Sequence, residues 1–240
     1  MVRNATPHKV LDSVCVLVSG GLDSGVLLSQ LSQRFKRIYP LYVATGARWE
    51  AAEQYWLGRL LRALGPRLGT SFIEPLRVLT LDVSDLYPPH WSLNNGPVPA
   101  AADPDESVFL PGRNLLLLSK ALVFCQLQGI GNVALGILRG NPFADSRMPF
   151  FRALEQVSET GLENTIRIHT PLAESSKVSA IQSAPGMPLE WTFSCIDPEG
   201  FIHCGVCQKC GERRTAFEKA GLVDRTEYAC TAEEGRVAIS

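Results

Sequence analysis

Nothing in this sequence approaches the ~18 uninterrupted apolar residues that a membrane-spanning helix requires. Charge of one sign is equally scarce. Lys and Arg number 23 against 24 Asp and Glu, and the formal net charge is −1. No strongly basic field is therefore available to attract RNA or DNA without regard to sequence. The polar N-terminal stretch, Met1 to Asp12, carries no apolar signal core. Internal repeats and low-complexity tracts are also missing. These absences lead us to expect a soluble, cytoplasmic chain with no membrane partner, no nucleic-acid partner and a small-molecule substrate. The 240 residues suffice for one α/β domain with a full core, or one domain plus an appendage.

What is present is an alternation of apolar runs with helical patterns, which argues for a parallel sheet with crossover helices on both faces. Candidate strands are 13–18, 37–43, 76–82, 132–138 and 165–169. Candidate helices are 24–35, 48–64, 113–128, 149–160 and 174–183, with a last one near 210–220. In the first helix Val26, Leu27, Leu31 and Phe35 make an inward stripe. In such a sheet the ligand lies beyond the carboxyl ends of the strands, where Thr45, Asn141 and His169 are expected. Residues 84–112 are rich in proline, carry Asn94 and Asn95 side by side and have no sustained period. A loop of this length inside a compact domain is usually functional or disordered, and we read it as an active-site cover.

The most informative segment is Ser19-Gly20-Gly21-Leu22-Asp23-Ser24, directly behind the apolar run Val14-Cys15-Val16-Leu17-Val18. A strand, a glycine turn and a helix start together make a phosphate cradle. Glycine lets consecutive N–H groups converge on one anion, and the helix adds its unpaired N–H groups and positive dipole end. Ser19 and Ser24 offer hydroxyl donors. Asp23 would repel a phosphate unless a divalent cation lies between them, so the loop implies a nucleotide bound with Mg²⁺. The spacing is not that of the common P-loop. It resembles the SGGxDS signature of the PP-loop ATP pyrophosphatases, which release pyrophosphate and leave AMP on an oxygen of the substrate.

Seven cysteines are present. Cys15 and Cys125 lie in apolar runs and read as small core residues, and Cys230 lies in a polar tail. The other four, Cys195, Cys204, Cys207 and Cys210, are spaced Cys-x8-Cys-x2-Cys-x2-Cys. Four thiolates suit tetrahedral Zn²⁺, with every position filled by protein and none left for a catalytic water. An iron–sulfur cluster is the alternative for the same ligands.

With both motifs in place, the chain resembles the 7-cyano-7-deazaguanine synthase family of the queuosine pathway. The matching pieces are the 19–24 segment, Phe109-Leu110-Pro111-Gly112-Arg113-Asn114, Thr170-Pro171-Leu172 with Lys177, and the cysteine cluster followed by Arg213 and Ala216-Phe217. The resemblance implies a Rossmann-like, adenine nucleotide alpha hydrolase-like fold over 1–185 and a helical zinc-binding part over 186–240. It implies the ATP-dependent conversion of 7-carboxy-7-deazaguanine and ammonia into the nitrile. Asp23 is then assigned to Mg²⁺, and Lys177 and Arg113 to the phosphates. No glutaminase domain fits in this length, so ammonia would arrive free or from a partner. A homodimer is compatible with the sequence.

The chain departs from the family in its substrate loop. An acidic residue followed by Ser-Gly-Tyr-Pro-Asp-Cys-Arg is usual there. Here Gly140 to Arg147 is shorter, with Phe143 replacing the tyrosine, Ser146 the cysteine, and Asp145 and Arg147 matched. Phe143 can stack on a deazaguanine ring and Asp145 can accept from its N–H edge, or Asp145 can cap the 149–160 helix. Changes here leave open a relative that stops at the amide or joins the activated deazaguanine to another amine. A PP-loop tRNA-thiolating enzyme would show a catalytic cysteine and a basic RNA surface. A non-catalytic nucleotide sensor would lack Asp23, Lys177 or Arg113. Among the histidines His169 is expected to be a hydrogen-bonded structural residue.

Overall fold

A computed structural model describes residues 11–67, 71–87, 90–93 and 96–230. The N-terminal segment 1–10 and the Asn94-Asn95 pair lie outside the described residues. Among the described residues twelve α-helices and β-strands follow in the order β1 (Leu11–Leu17), α1 (Leu22–Ser32), β2 (Phe35–Ala44), α2 (Glu50–Leu64), β3 (Phe72–Ile73), β4 (Arg77–Thr80), α3 (Arg113–Gln128), β5 (Asn132–Ala134), α4 (Met148–Gly161), β6 (Arg167–His169), α5 (Lys177–Gln182) and α6 (Gln208–Ala220).

The sheet runs β3-β2-β1-β5-β6, and β4 also pairs with β2. Every pair is parallel. β3 registers with Arg37 and Ile38, and β4 takes up the same edge at Leu41 to Ala44. Strand order reverses at β1, which has β2 on one side and β5 on the other. That reversal is the topological switch point of a doubly wound sheet, where a crevice opens beyond the carboxyl ends.

Parallel strands buried on both faces read as continuous apolar runs, and β1 shows why. Val14 and Val16 join a core with α1, α2, α5 and α6, through Leu27, Leu57, Ile181 and Phe217. Cys15, between them, joins the opposite core with α3 and α4, through Leu118, Cys125, Phe151 and Leu154. Cys15 and Cys125 are thus core residues, both fully buried. A third apolar cluster gathers Trp49, Phe193 and the four clustered cysteines, with Trp91, Val98 and Val108 of the 84–112 stretch packed against it.

Most element boundaries shift from expectation by a residue or two, and several of the differences have a local cause. Helix α1 stops at Ser32, because Gln33 and Arg34 turn the chain through bonds to Gln30 and Leu31 carbonyls. Phe35 therefore opens β2, still fully buried, rather than ending the helix. β5 ends at Ala134: the Leu135 N–H makes the last ladder bond, to the carbonyl of His169, where β6 itself ends, and Leu135 to Leu138 run on beyond the sheet. α5 begins at Lys177, since Ser176 caps it by accepting the Ser179 N–H at 3.1 Å. The two-residue β3 is too short to carry a periodic signal. No helix among the described residues is long and apolar enough to cross a membrane.

Candidate active site

The turn after β1 is fixed by sterics before any ligand is considered. Gly20 has φ +80°, and a Cβ there would lie 3.1 Å from the Leu57 Cβ. Only glycine satisfies both demands. Gly21 is extended and forms the N-cap of α1. Ser19 N–H donates to Ser24 Oγ at 3.1 Å, and the two hydroxyls lie 3.3 Å apart. The Gly20 carbonyl accepts the Phe193 N–H at 2.8 Å, which ties the turn to the C-terminal part. The first N–H groups of α1 have no intrahelical partner, and the residues that bear them, Leu22 to Ser24, line a cleft of about 370 Å³ at the switch point.

Three walls of this cleft come from separate parts of the chain. Ser19, Gly21, Leu22, Asp23 and Ser24 line its base, with Gly136 after β5 beside them. Gly136 packs directly against Asp23, where a Cβ would lie 3.4 Å from the Asp23 Cβ. Thr45, Glu50, Glu53 and Tyr42 line one side; Arg113, Asn114, Asn141, Phe143 and Asp145 line another. Val108, Phe109 and Leu110, from the end of the 84–112 stretch, also line the cleft. The middle of that stretch is pinned to the cysteine part, where Ala101 N–H donates to the Val206 carbonyl and Gln208 N–H to the Pro99 carbonyl.

The expected phosphate-site residues converge. Lys177 Nζ lies 3.6 Å from Asp23 Oδ2, and Arg113, the first residue of α3, lines the same cleft. Lys177 also donates to Glu212 Oε1, whose other oxygen accepts from Lys209 Nζ at 2.7 Å. Burial raises the pKa of Asp23 against the opposing pull of Lys177. Burial works to lower Lys177, but Asp23 and then Glu212 outweigh it and hold the ammonium charged. Asp23 Oδ1 is buried without a hydrogen-bond partner. An unsatisfied, buried carboxylate oxygen facing a phosphate cradle is a hard ligand suited to Mg²⁺.

Glu53 is a functional candidate that sequence reasoning missed. Tyr42 Oη donates to its Oε2 at 2.6 Å, and burial raises its pKa to about 7 against that bond and the nearby Arg113. Glu50 serves the turn after β2, accepting from Thr45 and Gly46 N–H groups. Glu212 and Lys209 were also missed. Only their position beside Cys210 could have marked them, and nothing in the spacing shows which way they face.

The substrate-loop residues separate. Phe143 stacks on Phe109, ring centres 4.4 Å apart and 18° from parallel. Asp145 does cap a helix, but it is α3 rather than the 149–160 helix: its Oδ2 accepts the Asn114 N–H at 2.9 Å. Asn114 Nδ2 returns a bond to the Asp145 carbonyl at 3.1 Å. The shortened loop thereby locks the start of the helix that carries Arg113. Arg147 is exposed, its guanidinium meets the Pro142 carbonyl at 3.5 Å, and it is not part of the cleft lining. Thr45 and Asn141 lie in the cleft as expected, whereas His169 does not. His169 Nε2 pairs with Asn132 Oδ1 at 2.9 Å and its ring meets Phe35 edge-on, a satisfied structural histidine.

The four clustered cysteines are all buried, with sulfurs within 4.8 Å of one another. Cys195 and Cys207 sulfurs are 3.9 Å apart, and Cys204 and Cys210 4.0 Å. Tetrahedral thiolate ligation at about 2.3 Å places sulfurs about 3.8 Å apart, so the set fits one metal ion. N–H groups of Asp197 and Cys204 donate to the Cys195 sulfur, each at 3.3 Å, as befits thiolates. Gly205 has φ +87° and passes under the Cys230 carbonyl where a Cβ would lie 2.2 Å away, so the tight turn requires it. Cys230 itself contributes backbone here: its N–H bonds the Cys204 carbonyl, and its carbonyl accepts from Arg214.

The sequence model of the family described as "Queuosine biosynthesis protein QueC" matches residues 13–221. Among curated relatives, a 7-cyano-7-deazaguanine synthase of Methanopyrus kandleri is 32% identical over 230 residues, covering 89% of this chain and 97% of the relative. The 7-cyano-7-deazaguanine synthase of Methylococcus capsulatus is 31% identical over 235 residues, with coverage of 89% and 97%. The enzyme of that name from Methanothermobacter thermautotrophicus is 29% identical over 225 residues, with coverage of 88% and 97%. A U34-tRNA thiolase from Methanococcus maripaludis superposes with a TM-score of 0.49 at 11% identity, covering 88% of this chain and 68% of that one.

Proposed function

The chain belongs to the QueC family of queuosine biosynthesis proteins, and from that premise we propose that it is an ATP-dependent carbon–nitrogen ligase. It converts a 7-carboxy-7-deazaguanine and ammonia into 7-cyano-7-deazaguanine. The observation that carries the reading is the meeting of the glycine cradle, Asp23, Lys177 and Arg113 in one cleft at the switch point of the sheet.

A carboxylate does not react with ammonia until one oxygen becomes a good leaving group, and transfer of AMP achieves this. Cradle N–H groups and the Ser19 and Ser24 hydroxyls hold the departing pyrophosphate, while Lys177 and Arg113 neutralise its charge. Asp23 is the residue to hold Mg²⁺, which when bound offsets phosphate charge. Ammonia displaces AMP to give an amide, and loss of water to the nitrile needs the amide oxygen activated by a second ATP. Phe143, backed by Phe109, offers an aromatic wall for a planar deazapurine. Asp145 keeps lone pairs beyond those engaged by Asn114 and can accept from the N–H edge of the ring.

Cys195, Cys204, Cys207 and Cys210 hold zinc. A single ion suits sulfurs this close, whereas an iron–sulfur core interposes its own atoms and needs thiolates further apart. With four protein ligands the metal is structural.

The shortened 140–147 loop favours one second reading, a relative that stops at the amide or conjugates the activated deazaguanine. Purified protein incubated with ATP, Mg²⁺, ammonia and 7-carboxy-7-deazaguanine, with products weighed by mass spectrometry, separates these. The nitrile is expected together with AMP and pyrophosphate. Accumulation of amide alone would move the assignment to the second reading, and no ATP consumption in the presence of the acid would overturn both.

A further inference from the structure

We propose that Lys209 is a further phosphate-binding residue, delivered to the cleft by the metal-bearing helix α6, and that Glu212 positions it together with Lys177. The inference rests on the nucleotide reading above and extends it to residues outside the cradle.

Lys209 lines the cleft beside Asp23, Lys177 and Ser194. It lies between Cys207 and Cys210, so two metal ligands fix the backbone on both sides of it. Cys207 is also the N-cap of α6, which puts Lys209 in the first helical turn. A cation there opposes the helix dipole, whose positive end favours acidic side chains. The first turn of α6 holds none. The i, i+3 pair with Glu212 engages one donor of the ammonium; a ligand bearing negative charge would engage the donors that remain.

Glu212 supplies the restraint. Its two carboxylate oxygens each take one ammonium, Oε1 that of Lys177 and Oε2 that of Lys209. An ammonium carries three donors. One is spent on Glu212, so Lys209 keeps two for phosphate oxygens, and Lys177 keeps donors beside Asp23. Before nucleotide arrives the four side chains Asp23, Glu212, Lys177 and Lys209 cancel in charge. A triphosphate then meets two ammonium groups already gathered on one side of the cradle, with Arg113 on another wall. The metal centre thus shapes the nucleotide site without touching it, because one helix carries both.

Binding of magnesium pyrophosphate to the metal-replete full chain, measured by calorimetry, tests this. Lys209→Met is expected to weaken pyrophosphate at least tenfold while metal content and melting temperature stay at wild-type values. Lys209→Arg should restore most of the affinity. Glu212→Gln should raise KM for ATP severalfold and leave KM for the deazapurine unchanged, a split that a merely structural role would not produce. A second measurement needs no variant: acylation of Lys209 in the wild type, followed by peptide mass mapping, should slow severalfold with magnesium pyrophosphate while the exposed Lys219 reacts as before. Wild-type affinity in Lys209→Met, or an unchanged acylation rate at Lys209, would overturn the proposal while the nucleotide reading stands. If the wild type itself bound no pyrophosphate, the nucleotide reading would fall first.

Discussion

At the scale of single residues, Asp23 shows how far function and stability diverge in this cleft. Its side chain is half-buried, the buried oxygen Oδ1 has no partner and Oδ2 lies 3.6 Å from Lys177 Nζ. Burial disfavours its charge, so the fold gains little from keeping it ionised. Lys177 retains Glu212 when Asp23 is neutralised. Asp23→Asn is accordingly expected to leave the melting temperature within a few degrees of wild type and to cut pyrophosphate release by roughly a hundredfold or more. Retained turnover would remove Asp23 from the metal role. Glu53 supplies a pH test. Its folded pKa, about 7, exceeds that of an unfolded glutamate, near 4.3. Between those values the native state holds a proton that the unfolded chain has released, so stability falls as pH rises and levels off above the folded pKa. Urea unfolding should show Glu53→Gln gaining on wild type from pH 5 to pH 8, by of order 2–3 kcal/mol. A difference independent of pH would mean that Glu53 titrates normally. That Asp23, Lys177 and Arg113 share one cleft was legible in the sequence, through the glycine turn for Asp23 and through the family resemblance for Lys177 and Arg113. Glu53, Lys209 and Glu212 were not, since each looks like a solvated helix residue until the packing of α2 and α6 turns it into the cleft.

At the scale of elements, legibility followed periodicity and punctuation. α3 lies where its apolar run and the preceding Pro111-Gly112 place it, and Gly129, in the left-handed region, ends it. The end of α1 was obscured because Phe35 continues the apolar stripe in register, and only the turn at Gln33 separates helix from strand. The cysteine spacing announced a metal site but not that α6 begins on one ligand and carries another. With two of the four thiols on one helix, a bound metal would be part of the folding of α6. Cys207→Ser removes a ligand and alters the N-cap together, so it is expected to lose the metal and on the order of several kcal/mol of stability. Elemental analysis beside thermal melts checks this, and a variant that melts like wild type without metal would show the cluster to be dispensable.

At the scale of the whole molecule, the cleft draws on segments far apart in sequence. β1 and β5 open it at the switch point, α3 brings Arg113, α5 brings Lys177, and the C-terminal part returns across the cradle through the Phe193 N–H bond to Gly20. The chain on either side of residue 185 also shares one core, since Ala216 and Phe217 pack with Leu27 and Ala180. A ligand in the cleft is therefore expected to brace the chain on both sides of residue 185 at once. A non-hydrolysable ATP analogue with Mg²⁺, present at a hundred times its dissociation constant, stabilises the native state by about 2.7 kcal/mol through mass action. Hydrogen exchange locates that stabilisation. Slower exchange is expected both in residues 19–26 and in the first turns of α6, which both line one cleft. Protection of the cradle alone would mean that the C-terminal part packs beside the nucleotide site without contributing to it.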